Sequence, residues 1–233
     1  MVSRVTVLSV VDAITDDLRK DVLNGVLQPV EALTEVDVAG RYDVARATGK
    51  AAIERLVAES VLERTTHKTA RVVQLGPEDV RDIYRSRMYL EAEVLRRLAR
   101  TRTVPGGARE ANAEIRRRWD GSSFDIVDPD MQFHLSLIDA LQNERTSRMY
   151  RSLVSEVKLC MSQVQGRQLL SPEIIVAEHE RLLELIEAGD GPGAAQLLDE
   201  HLSRARERLV GALGGTPGPE GSLPCLLVGE EPT

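Results

Sequence analysis

The chain has 233 residues, 42% hydrophobic and 29% charged, the balance of a globular protein with room for one large domain or two ordinary ones. No stretch approaches the ~20 apolar residues of a membrane span, and the early run VTVLSVV is ended by Asp12 too soon for a secretion signal, so the cytoplasm is the expected location. A net charge of −7 speaks against phosphate binding, but residues 41–71 hold seven basic against four acidic side chains while residues 76–233 hold 20 against 26.

Residues 8–25 place Val11, Ile14, Leu18, Val22 and Leu23 at helical spacing, and Asn24-Gly25 is a stop signal. After the turn LQPVEA, a short second helix is predicted from Thr34 to Arg41 through Val36, Val38 and Ala39. A third follows from Ala45 to Ser60 through Ile53, Leu56 and Val57, with RYDV between them as in a helix-turn-helix. VLERTTH and TARVVQL are rich in Val and Thr around His67-Lys68 and are predicted to form a two-stranded wing. Gly76-Pro77 closes this module.

From Glu78 to about Leu213 the pattern is helix after helix, with breaks at residues 103–107, 121–123, 142–143, 170–172 and 189–191. Five breaks make six helices. The low aromatic content, 3%, means a core of Leu, Val, Ile and Ala. Residues 211–233 contain six Gly and four Pro, so a disordered or loosely docked tail is expected from about residue 214. Cys160 and Cys225 lie 65 positions apart, give no paired framework, and read as free thiols.

Two groups of residues carry chemistry. Arg46 and Lys50 stand at i, i+4 near the start of the third helix, on one face where a recognition helix enters the major groove. Arginine there can take a guanine edge with two hydrogen bonds, whereas lysine offers a less directional charge. Lys68 on the wing is placed to touch phosphate. The second group is Asp130 and His134, also i, i+4, with His179 and His201 on two later helices. A carboxylate and three imidazoles inside an apolar bundle are costly unless paired, and a divalent ion satisfies all four. Nitrogen and oxygen donors suit zinc, nickel, manganese or iron, with zinc the first choice and affinity order favouring zinc or nickel over manganese.

The stretch DVAGRYDVARATGKAAIERLVAESVLER resembles the winged helix-turn-helix of GntR-type bacterial transcription factors. Val38-Ala39, Val44-Ala45-Arg46, Lys50, Ala52-Ile53, Leu56 and Val61-Leu62 fall in register with it, as do Gly25, Pro29, Leu33 and Glu35 upstream. Thr48-Gly49 stands where the family has Pro-Val, Lys50 replaces an Arg, Val30 replaces the Gly after Pro29, and Thr69 replaces a wing Gly. The C-terminal part resembles the FCD effector domain of the FadR subfamily. Arg87-Met88-Tyr89-Leu90-Glu91, Asp130 to His134 with Phe133, Asn143, Glu178-His179 and His201 carry that likeness, and six helices suggest the VanR-like branch.

The resemblance implies a mainly α protein. Residues 1–75 would be a DNA-binding winged helix-turn-helix, residues 76–213 a helical effector, metal-binding and dimerisation domain, and residues 214–233 a tail. It implies double-stranded operator DNA as partner, read by Arg46, Thr48, Lys50 and Lys68. Metal ligation falls to Asp130, His134, His179 and His201, and Arg87 is a candidate for pairing with a small carboxylate effector, or else with a buried acid. Trp119, Tyr84, Tyr89 and Tyr150 are assigned no role beyond core or interface. The expected function is a homodimeric, metabolite-responsive regulator, a repressor released by a small organic acid. The alternatives are a metalloenzyme, since a metal with open positions activates water, and a bundle stabilised by a purely structural metal. No further nucleophile or carboxylate is spaced beside the ligands for the enzymatic reading.

Overall fold

The computed structural model describes residues 9–64, 69–118, 126–164, 169 and 171–218. The predicted phosphate contact Lys68, the predicted core or interface residue Trp119 and the tail beyond residue 218 lie outside the described residues. The chain divides into two compact units, Met1–Leu75 with Lys158–Gln163, and Gly76–Val157 with Val164–Thr233.

The N-terminal unit opens with α1 (Val10–Leu23), where Ser9 and Asp12 exchange hydrogen bonds as a capping box. Of the predicted stripe, Ile14, Leu18 and Val22 are buried, with Thr15 beside them, while Val11 and Leu23 are half-buried. Thr34 and Asp37 repeat the capping box at α2 (Glu35–Tyr42), and Asp43 in the left-handed region ends that helix two residues before α3 (Arg46–Ala58) begins its N-cap at Ala45. α2 therefore runs one residue past the predicted end at Arg41 and takes in Tyr42 from the linker. Val38, Ile53 and Leu56 close the core with Leu33, Leu62 and Val72 from the sheet.

That sheet has three strands, not two. β1 (Ala32–Leu33), β2 (Leu62–Glu63) and β3 (Ala70–Val72) are antiparallel in the order β1-β3-β2, with Leu33 opposite Ala70 and Leu62 opposite Val72. The extra strand is carried by the turn after α1, where Val30 N–H donates to Val72 O at 2.9 Å. Val30 itself sits at φ 60°, a conformation that a β-branched residue adopts at a cost and that glycine adopts freely.

Six helices are described after Gly76: α4 (Pro77–Thr101), α5 (Gly106–Arg118), α6 (Val127–Asp139), α7 (Glu144–Ser162), α8 (Pro172–Ala188) and α9 (Gly191–Ala212), of which α7 is divided, its residues 158–162 belonging to the first unit. α4 and α9 pack along one another, α5 lies against α6 and α8, and α8 against α9. Pro77 and Pro172 occupy first-turn positions, where a missing N–H costs nothing. Gly189 at φ 85° turns the chain from α8 into α9. After α9, Arg81 donates to Thr216 O at 2.8 Å and Gly218 N–H donates to Glu207 at 2.5 Å, so residues 214–218 are docked on the helices. No helix among the described residues is long and apolar enough to cross a membrane.

Candidate metal centre and DNA-reading face

The α6 period puts Asp130 and His134 on one buried stripe, α8 contributes His179, and α9 contributes His201. One ligand atom from each of the four lies within 4.8 Å of all the others. The three imidazole centroids are 5.1–5.3 Å apart, an almost equilateral arrangement. His134 and His179 are fully buried, and His201 and Asp130 nearly so. Phe133 stacks on His179 with ring centroids 3.6 Å apart, covering that imidazole with hydrocarbon.

Each imidazole is held through Nδ1. His134 Nδ1 is 2.6 Å from Glu91 Oε2, His179 Nδ1 is 3.1 Å from Asn112 Oδ1, and His201 Nδ1 is 2.7 Å from Glu178 Oε2. Asn112 is itself oriented, because its amide donates to Val176 O at 3.1 Å and so presents the oxygen to His179. An acceptor on Nδ1 makes it the protonated nitrogen and leaves the Nε2 lone pair free, the arrangement seen when histidine ligates a metal. His134 Nε2, His179 Nε2 and Asp130 Oδ1 are buried and have no hydrogen-bond partner among the described residues. His179 Nε2 and Asp130 Oδ1 face each other at 3.4 Å. Unsatisfied buried polar atoms cost roughly 1–3 kcal/mol apiece, so three converging on one point are the donor set that a divalent cation would satisfy. Donors ~2.1 Å from a common ion lie at most about 4.2 Å apart, and the described spacing needs little contraction to meet that.

Burial lowers the His134 pKa, with Glu91 opposing the shift only in part. Burial, then the neighbouring His201 and His134, put His179 well below its ordinary value. Burial alone would raise Glu91, but Arg87 and His134 outweigh it and hold the carboxyl well below the usual range. Glu91 is thus a buried anion with three partners: His134, Arg87 Nε at 2.8 Å and Tyr150 Oη at 2.6 Å.

Arg87 is buried and serves as the partner of a buried acid, the structural role weighed for it from sequence. Its guanidinium lies 5.2 Å from the Tyr84 ring centroid, and its Nη2 has no hydrogen-bond partner among the described residues. Tyr150 is in the core, as expected, and in addition its hydroxyl donates to Glu91. Sequence reasoning missed the anchoring roles of Glu91, Asn112 and Glu178. Glu91 ends the Arg-x-x-Leu-Glu string and Glu178 adjoins a ligand, so two of the three carried a signal; Asn112 carried none.

On the N-terminal unit, Arg46, Thr48 and Lys50 share the first turns of α3, with Arg46 and Lys50 exposed and Thr48 half-buried. Arg46 donates from Nε to Glu35 Oε2 at 3.2 Å. Gly49 marks the helix-to-helix contact, since a Cβ there would lie 3.0 Å from Glu35 O and 3.3 Å from Ala39 N.

Residues 82–204, more than half of the chain, match the FCD domain family. The chain belongs to that family. Residues 10–72 match the bacterial regulatory proteins of the gntR family, so a GntR winged helix-turn-helix precedes the FCD domain. The chain is 25% identical to the HTH-type transcriptional regulator LutR of Bacillus subtilis, over 81% of this chain and 95% of LutR. It is 31% identical to the HTH-type transcriptional regulator BphR of Paraburkholderia xenovorans over 39% of this chain, a match that spans only 37% of BphR. A solved GntR regulator of Rhodococcus sp. RHA1 shares the fold, with a TM-score of 0.75 at 20% identity, covering 87% of this chain and 98% of that one. These matches point to DNA-binding transcription regulators and not to enzymes.

Proposed function

We propose that this FCD-family chain is a homodimeric, metabolite-responsive repressor whose residues 1–75 bind operator DNA and whose residues 76–213 dimerise and hold a divalent metal through Asp130, His134, His179 and His201. The observation that carries the metal reading is the convergence of His134 Nε2, His179 Nε2 and Asp130 Oδ1, buried and unpartnered among the described residues, with each imidazole anchored at Nδ1. Nitrogen and oxygen donors favour zinc, with nickel, manganese and iron as competitors. Bound there, the ion would supply positive charge and open coordination positions to a small organic carboxylate. The leftover Nη2 of Arg87 is the second group on offer to such an acid. Arg46, Thr48 and Lys50 read the DNA, with Lys68 on phosphate, and the protein acts in the cytoplasm.

The acid releases the operator by binding one conformation of the FCD domain better than another, so operator affinity falls by that difference in binding energy. Elemental analysis of purified protein, followed by thermal-shift screening with small carboxylates and operator titrations with those that bind, tests each link. A metal-free protein at full operator response would sink the reading. The near-complete burial of the imidazoles favours a second reading, a structural ion. In that case chelator lowers thermal stability while no carboxylate changes operator affinity.

A further inference from the structure

We infer that Glu35 is a positioning residue for DNA readout, holding the Arg46 guanidinium by its Nε so that both Nη groups are presented to one base edge. The inference rests on the proposal that Arg46 reads a base. Arg46 Nε donates to Glu35 Oε2 at 3.2 Å, and Glu35 is its only partner among the described residues. The Arg46 side chain is 72% exposed while that of Glu35 is 22% exposed, so the carboxylate is set back and the guanidinium projects. An exposed pair of this kind contributes little to stability. Its consequence is orientation: an arginine gripped at Nε keeps two parallel N–H donors in one plane, the geometry that a guanine O6/N7 edge accepts.

The carboxylate is fixed from behind. Arg64, which follows β2, lies 3.9 Å from Glu35 Oε1 and donates to Glu54 of α3 at 2.8 Å. The four side chains form an ion-pair row, Arg46–Glu35–Arg64–Glu54, joining α2, α3 and the base of the wing. The backbone sets the row as well. Gly49 lets the first turn of α3 approach Glu35 O so closely that a Cβ would stand 3.0 Å from it, which brings the start of α2 beside Arg46. Holding a rotamer-rich side chain before binding removes an ordering cost at the moment of contact. A carboxylate near phosphate also repels non-specific DNA, so Glu35 would trade general affinity for discrimination.

The test uses the full-length protein and a duplex that the wild type selects from a randomised library, compared with a scrambled duplex at fixed salt. Arg46→Ala lowers discrimination about 10-fold or more, the loss of a two-bond base contact. Glu35→Gln, an isosteric change at a half-buried helix start, shifts the melting temperature little, lowers discrimination several-fold, and leaves scrambled-duplex affinity equal or higher. A misfolded variant would lose both affinities together. In the Arg46→Ala background, Glu35→Gln has no further effect on discrimination. If Glu35→Gln leaves discrimination intact while Arg46→Ala reduces it, or if its effect is equal in both backgrounds, the positioning role is overturned. If Arg46→Ala leaves discrimination unchanged, the base-reading assignment itself fails and the inference falls with it.

Discussion

Glu91 Oε2 lies 2.6 Å from His134 Nδ1, both side chains buried, and the opposite oxygen of the same carboxylate takes Arg87 and Tyr150. One anion therefore orients a candidate metal ligand and neutralises a buried guanidinium. Removing the charge while keeping the shape, Glu91→Gln, strands Arg87 in the core, and breaking a buried pair by one partner costs about 3–5 kcal/mol. Tyr150→Phe deletes one hydrogen bond to a charged acceptor, about 1.5–3 kcal/mol. Denaturant unfolding of chelator-treated protein should rank the two in that order, since the penalty belongs to the apo fold. Equal midpoints for Glu91→Gln and wild type would show that Arg87 is neutralised by something else.

The anchors and the ligands should separate in a metal titration. His179→Ala removes a donor and should lower metal content outright. Asn112→Ala keeps all four donors but frees the His179 ring, and losses of this kind weaken affinity about 10–100-fold. Competition against a chelator of known affinity should then show full stoichiometry at saturating metal for Asn112→Ala and reduced stoichiometry for His179→Ala. An Asn112→Ala affinity equal to wild type would mean that the ring is held by its packing on Phe133 alone.

The contrast between ligands and anchors also shows what the sequence could reveal. Asp130 and His134 announce themselves because four residues are one helical turn, and the apolar spacing of Ile14, Leu18 and Val22 locates α1 for the same reason. Asn112 meets His179 across 67 residues of chain, and no local period relates them. β1 was missed because two residues are too few to alternate, and only its pairing with β3 makes it a strand. The hydrogen bond of Tyr150 was not legible because its hydroxyl partner lies on another helix, 59 positions away.

Two backbone positions predict opposite effects. At Gly49 a methyl group would press on the backbone of α2, with Glu35 O at 3.0 Å and Ala39 N at 3.3 Å, neither of which can swing aside as a side chain would. Gly49→Ala should destabilise by about 1–3 kcal/mol, as overpacking does, and should weaken DNA binding by splaying α2 from α3. Val30 is half exposed, so it gives up little burial, and its φ of 60° costs about 1–2 kcal/mol for a residue with a Cβ. Val30→Gly should recover part of that, offset by the freedom glycine adds to the unfolded chain. Thermal melts of the two variants that shift in the same direction would contradict this account.

Acid should unfold the metal-free protein in two stages. His134 and His179 have folded pKa values below the ordinary 6.5, first because burial penalises their charged forms. Below 6.5 the unfolded chain takes up protons at these rings while the folded protein still refuses them, so the unfolded state binds more protons and stability falls with pH. The contribution is fully present above that value, and each ring can add a slope of up to about 1.4 kcal/mol per pH unit inside the window. Glu91 acts lower down. Its folded value is depressed by Arg87 and His134 against the pull of burial, so its contribution is present above the ordinary 4.5 and drains away as pH drops beneath it. Urea unfolding of chelated protein at a series of pH values should show a first decline starting near pH 6.5 and a steeper one below pH 4.5. His179→Gln should shrink the first decline and leave the second. A flat profile between pH 7 and 5 would mean that the rings are already satisfied in the apo fold, and the case for an ion among them would lose its physical basis.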